Sequence, residues 1–338
     1  MVQVLATWAD QQHQARLQTF AADDGDAQVV ELTRQLYGTS AALLADDALD
    51  QSHRSIGESL REAALRRLEL LQGNSPRQGS RGPQLEILCA DHLGFSTPKL
   101  LYDRLPDGSA KLKGRSAFVD LADVLLVSTV PDLAAFPLEP GLRGAIGNAI
   151  YELIRNTEEH ARSDEQGNHL QRSIRGFQAR RHGLLPAALL NVAEGAQPLL
   201  DYFRTLQPDA GRRQVQLLEL SVFDSGPGYA AQWLGQAPAD IPAEQERAAV
   251  LECFEKHSSR KNASSAGLGL SNVIAILRKH RGFLRLRTGR QSLFANLADE
   301  ADVEFGAVPT LRSFRDGPRP ALTTGTLLTL LLPLAREA

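Results

Sequence analysis

The sequence predicts an α+β protein with a helical N-terminal region, and three observations carry that expectation. Apolar residues recur at helical spacing in Leu142, Ile146, Ile150 and Leu153, and again in Leu270, Val273, Ile274 and Leu277. Residues 215–223 and 326–332 alternate as strands: Leu218, Leu220 and Val222 share one face, as do Thr326, Leu328, Leu330 and Leu332. Ahead of these, residues 1–72 hold helical runs at 29–44 and 56–71, and the Gly/Pro/Ser/Arg-rich stretch 73–83 reads as a linker.

Residues 84–137 read as a small α/β segment with β-like runs at 85–89 and 117–127. Residues 138–338 form the principal domain, with insertions at 162–213 and 289–324. The first insertion carries Arg172, Arg175, Arg180, Arg181 and His182, which read as a solvated helix face, with an anion or nucleic-acid contact as the alternative. The second, with Pro309, Pro318 and Pro320, reads as a surface excursion or a partner-docking element. A chain of 338 residues is long enough for a sizeable core and two domains. Its net charge of −3 and pI near 6.3 do not point to nucleic acid as the main partner. Cys89 and Cys253 have neither metal-ligand spacing nor a disulfide framework, and no apolar run has membrane-spanning length. A cytoplasmic protein without a membrane partner is expected.

The chemistry sits in four segments. In the helix around 142–160, Glu152, Asn156 and His160 follow one another at four-residue spacing and form a stripe beside the apolar one. Polar groups bordering a core need partners or a cavity; on these residues alone, an ordinary amphipathic helix with a polar edge fits as well. Asp224 continues the apolar face of its strand, and Gly226 and Gly228 let the chain turn and approach a ligand closely. A plain strand-to-turn aspartate is the alternative. Gly267, Leu268, Gly269 and Leu270 lead into the helix that carries Val273 and Leu277. Glycines at a helix entrance expose N–H groups to phosphate oxygens, although a lone Gly-x-Gly also marks flexible loops. No Gly-x-x-x-x-Gly-Lys-Ser/Thr sequence occurs, which excludes a Walker-type phosphate loop. Gly325 and Thr326 open the last strand, where Thr326 alone reads as a β-branched strand start.

In this order, the four segments resemble the nucleotide pocket of the GHKL ATPases, which include gyrase, histidine kinases and MutL. The pocket motifs are most similar to those of stand-alone bacterial histidine-kinase-like ATPases. The resemblance covers the region from about residue 138 onward and implies a two-layer α/β sandwich of the Bergerat type, with ATP and Mg2+ as ligands. It assigns Glu152 to orienting and deprotonating the attacking water, Asn156 to holding Mg2+, and Asp224 to accepting a hydrogen bond from the adenine amino group. Thr326 falls near the adenine, His160 near the phosphates, and Gly226, Gly228, Gly267, Leu268, Gly269 and Leu270 in the loops around the nucleotide. The basic run with Lys256, Arg260 and Lys261 falls in the lid, with Lys256 as a phosphate contact. Residues 117–124 also resemble a strand-turn-strand piece that precedes some of these ATPases.

Three functions follow from the resemblance: an ATP-hydrolysing switch, a protein kinase of histidine or anti-sigma serine type, and a nucleotide sensor with negligible hydrolysis. The switch is favoured. No histidine of the helical region is followed by Glu or Asp with a nearby Pro: His13 lies in Gln12-His13-Gln14 and His53 in Ser52-His53-Arg54. The chain also exceeds a minimal anti-sigma kinase by more than a domain. Only a few residues follow 326–332, leaving no place for the transducer lysine of gyrase- and MutL-type members, so strand passage and mismatch repair are not expected. Leu60, Ala64, Leu68 and Leu71 form an apolar stripe that fits a protein partner or a homodimer, or packing on the ATPase domain of the same chain.

Overall fold

The two strands whose alternation is legible in the sequence lie side by side in the middle of one sheet. In the computed structural model, the described residues are 1–21, 26–73, 75, 79–80, 82–94, 97–130, 133, 138–208, 213–255, 269–300, 303–304 and 306–334. The N-terminal region contains α1 (Val2–Asp10), β1 (Arg16–Gln18), α2 (Asp26–Thr33), α3 (Leu36–Leu44), β2 (Asp47–Leu49) and α4 (Gly57–Gln72). The next segment supplies β3 (Gln84–Ala90), the small hairpin β4 (Tyr102–Arg104) and β5 (Ala110–Leu112), and α5 (Arg115–Thr129). Then come α6 (Leu142–His160), β6 (Ile174–Leu184), α7 (Pro186–Val192), α8 (Gln197–Thr205) and β7 (Val215–Asp224). The remainder holds α9 (Tyr229–Leu234), α10 (Ala243–Glu252), α11 (Gly269–Lys279), β8 (Phe283–Gly289), β9 (Gln291–Asn296), β10 (Arg312–Ser313) and β11 (Thr323–Pro333).

The main sheet runs β10-β9-β8-β11-β7-β6-β3, every neighbouring pair antiparallel. Alternation divides it into two apolar faces. Leu218, Leu220 and Val222 of β7 and Leu328, Leu330 and Leu332 of β11 meet Phe118 and Leu121 of α5, Ile146, Ile150 and Leu153 of α6, and Val273 and Leu277 of α11. That sheet and its helices make the expected α+β sandwich. The odd residues face the other way. Phe223 and Leu327 pack with Leu60, Ala64, Leu68 and Leu71 of the N-terminal region, while Leu217, Phe283 and Leu331 pack with Tyr202 and Phe203 of α8. The N-terminal helices thus add a layer behind the sheet, and the stripe on α4 is buried within the chain itself. A buried ion pair between Arg67 of α4 and Glu86 of β3 joins the layer to the sheet edge. Arg67 also donates to the carbonyls of Gly79 and Thr33, so its charge is not left unpartnered.

Several expectations need correction. Residues 117–127 are helical within α5, not β-like, because Phe118, Leu121, Ala122 and Leu125 form a buried helical stripe that outweighs the local β-branched residues. The strand-turn-strand resemblance at 117–124 falls with it. The arginine-rich part of the first insertion is a strand and not a helix face: Arg175, Arg180, Arg181 and His182 lie on β6, between β7 and β3, with Arg175 1% exposed and Arg180 still facing solvent. The second insertion continues the sheet through β9 and β10, with Leu293, Ala295 and Leu311 in the core, so it is more than a surface excursion. Among the described residues, no helix is long and apolar enough to cross a membrane.

Candidate functional site

Helix α6 places its polar edge between α5 and α11. Glu152 is fully buried, as its position beside the apolar stripe requires. Its Oε1 accepts hydrogen bonds from the Arg115 guanidinium and, at 3.2 Å, from the Asn272 amide of α11. Its Oε2 is buried without a hydrogen-bond partner, with the Arg155 guanidinium 3.8 Å away. The first residue of α11, Gly269, abuts this edge: a Cβ there would lie 3.0 Å from Glu152 Oε2 and 3.6 Å from Asn156 Oδ1. A side chain would fill the space that separates the helix entrance from the acid and the amide. The described start of α11, with the positive end of its helix dipole, therefore lies beside a carboxylate and an amide oxygen.

The second part of the site is built at the end of β7. Asp224 stays on the helix-facing side of the sheet, where its Oδ1 accepts the N–H groups of Gly226 at 3.0 Å and Thr326 at 3.1 Å. Burial pushes its carboxyl up to about 6 despite these two hydrogen bonds. The group is mostly ionised at neutral pH but poised to protonate just below it. Gly325 makes the pairing possible: it has φ +78° at an irregularity in β11, and a Cβ would lie 1.9 Å from the Asp224 carbonyl oxygen. Thr326 thus joins the site through its backbone, while its buried hydroxyl lies 3.4 Å from that of Thr288. A Cβ on Gly226 would lie 2.7 Å from Ala161 Cα, so the loop after Asp224 closes on the end of α6. Gly228 (φ +87°) brings the chain against Thr288, whose hydroxyl accepts the Tyr229 N–H at 3.2 Å.

Glu152, Asn156 and Gly269 are thereby brought together along the C-terminal half of α6, while the loop after Asp224, with Gly226, closes on Ala161 just past the C-terminus of the same helix. His160, the last residue of α6, is exposed beside Glu159. Leu270 packs against the main core. Lys256, Arg260, Lys261, Gly267 and Leu268 lie outside the described residues. A buried charge cluster steadies the helix: Arg175 of β6 bonds Asp91 and Glu158, each at 2.8 Å, and the Tyr102 hydroxyl at 2.6 Å. Arg175 stands opposite Asp224 in the strand register, so the same strand supports both parts of the site.

Sequence reasoning missed Arg115 and Asn272. Asn272 follows Gly269 by three residues, and helical spacing could have placed it on the same edge. Arg115 lies 37 residues before Glu152 and carries no local signal. Among the described residues, no group of three or more His, Cys, Asp or Glu side chains could hold a metal ion. A hard cation in this site would take a protein oxygen from Asn156 and complete its shell with phosphate and water, as Mg2+ commonly does. The unpartnered Oε2 and the Asn156 oxygen beside Gly269 are hard oxygen donors of the kind such a cation takes.

No family model and no solved structure matches the chain. Among curated proteins, the signal transduction histidine-protein kinase/phosphatase MprB of Mycolicibacterium vanbaalenii is 31% identical over 151 residues. That match covers 43% of this chain and 28% of the relative, so the chain is similar to a minor part of a histidine kinase.

Proposed function

We propose that the chain is a Mg2+-dependent ATP-binding protein and ATPase of the GHKL type, acting as a nucleotide-controlled switch in a bacterial regulatory or defence system. The observation that supports this most is the joint placement of Glu152 and Asn156, one turn apart, against Gly269 at the start of α11. The partial similarity to a histidine kinase points the same way. In this reading Asp224 accepts the adenine amino group, the N–H groups at the start of α11 receive phosphate oxygens, and Asn156 holds Mg2+. Bound Mg2+ supplies charge neutralisation at the phosphates. Glu152 orients a water in line with the γ-phosphorus and takes its proton as the bond to the bridging oxygen breaks. Lys256, Gly267, Leu268 and His160 belong to the phosphate side of the same proposal.

The switch element is supported by the way the N-terminal helix grips the Asp224 region. Gln3 of α1 donates to the carbonyls of Gly325 at 3.0 Å and Arg287 at 3.1 Å, and the Thr7 hydroxyl accepts the Thr324 N–H at 2.9 Å. A change at the Asp224–Thr326 pair is thus felt by α1, through which a protein partner or second copy would sense it. Separating binding from chemistry tests the assignment. Glu152→Ala is expected to bind ATP and lose turnover, whereas Asn156→Ala loses Mg2+-dependent binding. Normal hydrolysis by Glu152→Ala would refute the base assignment, and wild type that binds ATP without turnover, even with its partner, would leave a nucleotide sensor.

The similarity to MprB favours a kinase as the second reading. His13 and His53 are both exposed in the N-terminal region and are the residues such a reading would use. Incubation with γ-labelled ATP decides it: acid-labile, base-stable label on either histidine establishes the kinase.

A further inference from the structure

We propose that Arg115, which lies outside every pocket motif, is a positioning residue that pins one oxygen of Glu152 so that the other stays free to receive a proton from water. The proposal rests on the nucleotide reading above and deepens it. A buried carboxylate needs compensation, and an Arg fork or an amide can supply it. Both hydrogen bonds to Glu152, from Arg115 and from Asn272, converge on Oε1. Oε2 keeps its lone pairs unused and faces the Gly269 end of α11. A base that must take a proton along a fixed line gains from this asymmetry, because Oε2 keeps both its lone pairs for water while the bonds to Oε1 stop the carboxylate rotating away.

Arg115 is itself held. It is the first residue of α5, and its guanidinium lies 4.7 Å from the centre of the Tyr151 ring. Tyr151 in turn meets the buried Phe118 edge-to-face, with ring centres 5.3 Å apart. A rigid series therefore runs from the core between α5 and α6 through Phe118, Tyr151 and Arg115 to Glu152. The outer part of Arg115 remains accessible, its side chain being 47% exposed, so a small cation from solvent can reach the same place.

A merely structural ion pair and a positioning contact differ in what their loss changes. Wild type, Arg115→Ala and Arg115→Lys are compared by calorimetry with Mg2+ and ATP, by steady-state hydrolysis and by thermal melting, with and without guanidinium ion at a non-denaturing concentration. Expected is an ATP Kd within about twofold of wild type, a kcat lower by about 10–100-fold in Arg115→Ala, and an intermediate kcat in Arg115→Lys, which offers a point charge in place of a planar fork. Guanidinium restores part of the kcat of Arg115→Ala. Unchanged kcat in Arg115→Ala, or a lowered kcat that follows melting temperature and that guanidinium does not restore, overturns the proposal while the nucleotide reading stands. Should Arg115→Ala fail to fold, Arg115→Lys decides: reduced kcat at unchanged Kd supports the proposal, and wild-type kcat overturns it. Wild type that binds ATP without turning it over overturns the positioning role alone, and wild type that binds no ATP overturns both.

Discussion

Replacing Asp224 by Asn separates what the site does for the fold from what it does for a ligand. Burial raises the carboxyl from its ordinary 3.8 to about 6, which corresponds to about 3 kcal/mol that the folded protein loses by keeping this group ionised at pH 7. The sign follows from proton uptake. Between about pH 4 and pH 6 the folded state binds the proton and the unfolded state does not, so this contribution is fully present below pH 4 and lost as pH rises through 6. Asn keeps an oxygen for the N–H groups of Gly226 and Thr326 but carries no charge, so the variant lacks this pH dependence. Denaturant unfolding of both proteins at pH 4, 5, 6 and 7 isolates the effect, because the other carboxylates cancel in the difference. The stability of wild type relative to Asp224→Asn is expected to fall by up to about 3 kcal/mol across that range. ATP binding should move the opposite way: losing a charged acceptor for the adenine amino group costs on the order of 1.5–3 kcal/mol. A stability difference that does not vary with pH would refute the burial argument, and unchanged ATP affinity would refute the role of Asp224 in binding.

Two further substitutions probe the frame around the site. Gly325→Ala forces a Cβ into the Asp224 carbonyl at a φ of +78°; melting temperature and ATP affinity are both expected to fall, and wild-type values for both would show that the bulge in β11 does not matter. Arg67→Ala strands the buried Glu86 carboxylate, whose ionisation burial already disfavours, and is expected to cost about 3–5 kcal/mol in denaturant unfolding; a loss below 1 kcal/mol would mean that this ion pair does not hold the N-terminal layer.

Much of the architecture was legible because it rests on local periodicity. The stripe of Leu142, Ile146, Ile150 and Leu153 and the alternation in β7 and β11 are each set by neighbours within a few residues, and they carry Glu152 and Asp224 onto the faces that the spacing implied. What escaped reading depends on distant partners. Arg175 looks like a solvent-facing charge until Asp91 and Glu158 are brought to it by the pairing of β3 with β6 and the seating of α6 on the sheet. Residues 117–127 mix β-branched with apolar residues, and only packing against α6 settles them as helix. Arg115 is the extreme case, because nothing near it in sequence hints at Glu152. The N-terminal stripe of Leu60, Ala64, Leu68 and Leu71 fitted a partner helix or the chain's own domain equally well, and only the fold shows it packed behind the sheet.

The most direct measurement is calorimetry of the wild-type protein with ATP and with GTP, each with and without Mg2+. The proposed site binds ATP in a Mg2+-dependent manner and binds GTP more weakly, because guanine presents an oxygen where adenine offers Asp224 an amino group. Equal affinity for the two nucleotides would contradict the assignment of Asp224, and absence of binding to either would contradict the nucleotide site itself.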